Sequence, residues 1–163
     1  MRQILLIPLI CYLALLMEFA LFDLFGRWGG ASLLLLVVIF FNLYSGIRYS
    51  LWAALWAGMM KDCFSTLPFG AHVFVFGVCA YVSTYIRRYA YERGSDLSKL
   101  WMVFCVVTLQ TLLMGALHDM IFEGIRWRDV WAGIWGPTVV TTLLVALFVF
   151  DALGGWMRRW RIS

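Results

Sequence analysis

The sequence predicts an all-α integral membrane protein, a bundle of six transmembrane helices, and three observations carry that expectation. Apolar residues make up 64% of the 163-residue chain and charged residues only 13%, against roughly 45–50% and about 25% in soluble domains. Mean hydropathy, at +0.88, agrees. Six apolar stretches recur along the chain, and at roughly 20 residues per crossing they consume about 120 residues, which leaves no room for a soluble catalytic domain. Nine tryptophans supply a side chain that favours the boundary between hydrocarbon and water.

The first helix is expected over residues 4–25. Met1-Arg2-Gln3 and the apolar run behind it resemble the start of a signal peptide, but the run is too long and lacks a small-residue cleavage site. A retained helix is the better reading. Glu18 and Asp23 fall toward its far end, as candidates to pair with Arg27 or with a basic residue of a partner helix. Gly26, Gly29 and Gly30 then let the chain turn.

Residues 31–60 hold one charge, Arg48. As a single helix this stretch would be about 45 Å long and would need a tilt of about 50° to fit a core about 30 Å thick, beyond the usual range of roughly 0–40°. Division at Asn42-Leu43-Tyr44-Ser45-Gly46 gives a hairpin of two short helices, 31–45 and 47–61. Further helices are expected over 70–87, 100–122 and 130–153, and the whole of 1–163 reads as one polytopic domain. A five-helix alternative leaves Arg48 in mid-membrane, at about 2.5–3.5 kcal/mol on insertion scales.

With six crossings and both termini cytoplasmic, nine of the thirteen basic residues lie inside: Arg2, Arg48, Arg87, Arg88, Arg93, Lys99, Arg158, Arg159 and Arg161. Arg27, Lys61, Arg126 and Arg128 lie outside. That division follows the positive-inside tendency. Arg87, Arg88, Arg93, Arg158 and Arg159 form a basic cytoplasmic surface. It suits anionic headgroups, worth about 1 kcal/mol per charge near the surface, or a cytoplasmic partner protein.

The most patterned segment is Gly58-x3-Asp62-x5-Pro68-x-Gly70. Ala54 and Gly58 are a small-xxx-small pair, which lets helices approach closely in lipid. Asp62 follows one turn later, where the helix leaves its apolar run, and a carboxylate there needs water, a donor or a cation. Two readings stand: a solvated helix-end carboxylate beside Lys61, or an acceptor for the backbone amides of residues 65–70 that holds the loop to the bundle. Pro68 and Gly70 shape a compact return into the next helix. His72, which opens that helix, has no evident local partner.

In a chain of this length made almost wholly of membrane helices, this run resembles the MreD family of bacterial rod shape-determining proteins. The resemblance covers the chain in length and helix layout and rests, in specific residues, on 58–88. It implies a non-enzymatic inner-membrane scaffold of the elongation machinery that builds lateral peptidoglycan, with the bitopic scaffold MreC, the MreB filament, and RodA with its penicillin-binding transpeptidase as partners. The family is similar in fold to the S-components of energy-coupling-factor vitamin transporters, so a substrate-binding S-component is the alternative. Gln110, Thr108, Thr111, Thr138, Thr141 and Thr142 are candidates to line its pocket, although threonine also bonds a carbonyl one turn back in its own helix.

The remaining chemistry is sparse. Cys11, Cys63, Cys79 and Cys105 show no CxxC spacing, and thiols inside apolar runs are ordinarily packing residues. His118, Asp119 and Glu123 cluster near the end of the fifth helix, but a metal site wants more than one histidine, and Arg126 and Arg128 beside them favour an ion-pair network. No metal centre or cofactor is expected. No nucleophile, acid–base pair and cleft assemble for an enzyme, and no basic domain or stacking platform lies outside the membrane for nucleic acid.

Overall fold

The computed structural model describes residues 2–25, 32–65, 67–90, 96–122 and 138–149, and every regular element among them is helical. In chain order these are α1 (Arg2–Phe25), α2 (Leu33–Ser45), α3 (Ile47–Asp62), α4 (Ala71–Ala90) and α5 (Asp96–Phe122), followed by α6 (Thr138–Val149). The long apolar stretch after residue 31 is therefore two helices. They part at Gly46, whose φ of +93° is a left-handed value that glycine adopts freely, and the Gly46 amide donates to the Phe41 carbonyl at 3.0 Å. Of the sixth expected segment, 130–137 and 150–153 lie outside the described residues.

Among the described residues two helices, α1 over Leu6–Asp23 and α5 over Ser98–Ile121, are long and apolar enough to cross a membrane. Shorter α2 is different in kind. Its residues from Leu33 to Asn42 are buried on every side, the pattern of a helix at the centre of a bundle rather than on its surface. Packed around it are α1, α3, α4 and α5. α1 turns the stripe Ile7, Cys11 and Leu15, four residues apart and all buried, into the core, while Leu9, Leu13 and Met17 face outward.

Small residues set the spacing on the other side. α3 turns Ser50, Ala53, Ala54, Ala57 and Gly58 inward, and without bulky side chains between them backbones come close enough for dispersion to hold helices together in lipid. α4 contributes Val75, Phe76, Cys79 and Ala80, and α5 contributes Met102, Val103, Val106 and Val107. Successive helices α1 to α4 alternate in direction, because Glu18 near the end of α1 touches both the start of α2 and the end of α3, and the end of α3 in turn meets the start of α4. α6 joins the core through Val139, Thr142 and Ala146.

Candidate functional site

The patterned segment builds a joint between α3 and α4. At Gly58 the helices nearly touch: a Cβ there would lie 2.5 Å from Val73 Cα and 2.6 Å from Val73 N, so only glycine fits. One turn on, Asp62 reaches the start of α4. Its Oδ2 accepts from the Gly70 amide at 2.8 Å and the Val73 amide at 3.4 Å. Its Oδ1 accepts from the His72 amide at 2.9 Å and lies 2.8 Å from His72 Nδ1.

The first four amides of a helix have no partner within it, and here every one is met. Gly70, His72 and Val73 donate to Asp62, Ala71 donates to the Pro68 carbonyl at 3.2 Å, and Phe74, donating to the Gly70 carbonyl at 2.9 Å, makes the first bond of the helix itself. Gly70 holds φ at +103°, the left-handed turn that delivers its own amide to Asp62. Gly58, Asp62, Pro68 and Gly70 thus form a single construction. The amides that Asp62 caps belong to Gly70 and the first turn of α4, so among the described residues of the 65–70 loop its last residue alone takes part.

Asp62 stands past the apolar run of α3, outside the spanning segment, yet its side chain is wholly covered. Burial pushes its carboxyl up, and the His72 amide and ring with the Gly70 amide outweigh that, holding it below the usual carboxylate range. His72, for which the sequence suggested no partner, is this carboxylate's ring donor. Spacing hid the pair, since ten residues and a turn separate them.

Beside the joint, Lys61 pairs with Glu18 of α1 at 2.5 Å, and Glu18 also accepts the Leu34 amide at 3.3 Å. Glu18 was expected to pair with Arg27, which lies outside the described residues, or with a partner's basic residue; among the described residues its cation is Lys61, on a helix adjacent to its own. Both acids sit against helix N-termini, where backbone dipoles favour negative charge. On this end of the bundle a cavity of about 280 Å³ is lined mainly by Leu15, Phe19, Phe22 and Phe64, with Glu18, Lys61, Ser65 and His72.

At the opposite end, sequence reasoning missed Asn42. Fully buried, its Nδ2 lies 2.8 Å from the Ala80 carbonyl and 2.7 Å from Thr84 Oγ1, while Ser50 Oγ donates to the Val38 carbonyl at 3.0 Å. The available signal was an amide inside an apolar run, which lipid tolerates only with a partner. The Arg87 guanidinium donates to the Asn42 carbonyl, so this arginine closes the end of α2. Arg88 is exposed. Arg93, Arg158 and Arg159 lie outside the described residues.

The threonines mostly serve their own helices. Thr108 and Thr111 donate to Phe104 and Val107, and Thr142 donates to Thr138 while accepting the Ser32 amide at 3.2 Å. Among the described residues no three His, Cys, Asp or Glu side chains gather as metal ligands; Glu123 lies outside them. Cys11 and Cys79 are buried, Cys105 is half-buried, and Cys63 is exposed; all four are free thiols.

Apolar and aromatic side chains face outward along α1, α4 and α6, while Asp62, Glu18, Asn42 and Thr142 turn inward onto helix ends and helix–helix joints. That inversion of the usual soluble surface defines an α-helical membrane protein. Residues 1–152 match the family described as rod shape-determining protein MreD, and the chain belongs to that family. Its members are bacterial membrane proteins of the rod-shape machinery, which includes MreC and MreB, and are structural, shape-determining proteins. Comparison with curated proteins and with solved structures gives no match.

Proposed function

We propose that the protein is a non-enzymatic scaffold of the bacterial inner membrane that binds an MreC-like bitopic partner and is required for lateral peptidoglycan synthesis. Family membership over residues 1–152 is the observation that carries this reading. All six helices cross the membrane in it, with both termini cytoplasmic and the chain acting as one polytopic domain. The nine-to-four division of basic residues supports that orientation. The Thr142 hydroxyl, which receives the Ser32 amide near the starts of α6 and α2, supports the six-crossing count, in which two even-numbered helices run parallel.

In this reading Gly58, Asp62, Pro68 and Gly70 keep the platform rigid rather than touching a partner. Arg93, Arg158 and Arg159 meet anionic lipid or the MreB filament, Arg88 at the end of α4 is open to lipid or to a partner, and Arg87 is committed to the fold. RodA and its transpeptidase join through the partner. Purification from membranes in mild detergent tests the proposal: a bitopic morphogenesis protein is retained, and depletion of the chain rounds the cells. A vitamin-sized molecule retained without such a partner overturns it. That result would favour the S-component alternative, for which the cavity beside Glu18 and Lys61 is the supporting observation.

A further inference from the structure

One face of α4 is out of place in lipid. Phe74, Tyr81 and Tyr85 follow one another at spacings of seven and four residues, on one side of the helix, and each is largely exposed. Arg88 continues the stripe toward the end of α4 and is exposed as well. At about 1.5 Å per residue the 20-residue α4 is about 30 Å long, and Tyr81 is its eleventh residue. Interfacial residence accounts for tyrosines near helix ends. It cannot account for Tyr81, 67% exposed and roughly 15 Å from either face of the hydrocarbon, where a phenol finds no hydrogen-bond partner among lipid tails.

Between Phe74 and Tyr81 the stripe carries a notch. A Cβ at Gly77 would meet nothing within 4 Å, so this glycine, unlike Gly58, serves no contact inside the chain among the described residues. Glycine in mid-helix is the residue that admits a second backbone at close range in membranes. We propose that the α4 face of Phe74, Gly77, Tyr81, Tyr85 and Arg88 seats one transmembrane helix of a different protein, bearing a small residue opposite Gly77, a hydrogen-bond acceptor at the depth of Tyr81 and a carboxylate toward Arg88. A second copy of this chain is a poorer occupant. A parallel two-fold contact places the same patch on both sides and would set Arg88 against Arg88.

The inference rests on the scaffold reading for its premise that α4 crosses the bilayer, and it adds the surface that the partner occupies. Its test places a photoreactive amino acid at Gly77 or Tyr85 of the full chain in native membranes, with Met17 on α1 and Leu144 on α6 as exposed controls. The expected product, from α4 positions alone, joins the chain to a single-pass protein within that protein's membrane helix. Gly77→Leu lowers partner retention by about tenfold, as an overpacked contact does, with the chain's abundance and Tm unchanged because the notch is open in the chain itself. Tyr81→Phe lowers it about threefold, the effect of one interhelical hydrogen bond in lipid.

Adducts with lipid or a second copy alone, or full retention by Gly77→Leu, overturn the proposal. If the MreC-like protein is retained but its helix cross-links only from Met17 or Leu144, the scaffold reading stands and this face falls. If the α4 positions capture a different single-pass helix and Gly77→Leu abolishes that product, the face stands and the MreC reading falls.

Discussion

Asp62 meets His72 twice with one oxygen: the Oδ1 that accepts the His72 amide at 2.9 Å lies 2.8 Å from the ring Nδ1 of that residue. The carboxylate is therefore both the cap of α4 and the anchor of its first ring. Asp62→Ala leaves the Gly70, His72 and Val73 amides unmet in a covered site, and loss of about 1–3 kcal/mol is expected, read as lower Tm in mild detergent. Asp62→Asn keeps one accepting oxygen and loses less. The carboxyl is held below its ordinary range, so its stabilisation is fully present above about pH 4 and is lost as the pH falls through the lowered folded value. Equal Tm for all three proteins at pH 7 would contradict the cap.

Gly58→Ala would force α3 and α4 apart, because the new methyl meets Val73 backbone atoms at 2.5 and 2.6 Å. Backbone cannot swing aside as a flexible side chain does. Overpacking of this kind costs about 1–3 kcal/mol, and separating the helices also draws Asp62 from its amides. Gly58→Ala combined with Asp62→Ala should accordingly cost less than the two separate losses added together. Strict additivity would mean that the two contacts are independent.

Arg87 and Arg88 are neighbours with different duties. Arg87→Gln removes a charged donor from the Asn42 carbonyl and is expected to lower stability by about 1.5–3 kcal/mol, the range for hydrogen bonds to charged groups. Arg88→Gln, at an exposed position, leaves Tm within about 0.5 kcal/mol equivalent of the parent. Thermal unfolding of both variants in one detergent decides the matter, and equal effects would remove Arg87 from the fold.

Glu18 and Lys61 form the clearest ion pair between helices far apart in sequence. A double-mutant cycle with Glu18→Gln and Lys61→Met should return a coupling of roughly 0.5–3 kcal/mol. The Glu18→Gln arm should be the larger, because Glu18 also accepts the Leu34 amide. Zero coupling would show that the pair is incidental.

Local features were legible in the chain and long-range partners were not. Asn42 to Gly46 announced a break because a 30-residue apolar run is too long for one crossing, and Gly46 carries the positive φ that the break requires. Asp62 stood out as a carboxylate at the edge of an apolar run, and the loop behind it ended in Pro68 and Gly70. Its partner His72 stayed hidden because the pairing depends on how the turn folds back. Glu18 and Lys61 are 43 residues apart, and periodicity says nothing about which of two apolar helices becomes a neighbour. Asn42 was read for the turn it precedes, when its side chain ties α2 to α4.

The buried middle helix bears on how the protein is made. α2 has 13 residues, about 20 Å of helix, too little to cross a bilayer about 30 Å thick without help. Its ends are held by Glu18 from α1, Arg87 from α4 and Thr142 from α6. The last of these is synthesised 110 residues after its partner Ser32. During biogenesis α2 therefore stays half-anchored until α6 has been made, which makes premature termination before α6 a route to a misassembled product rather than to a smaller working one.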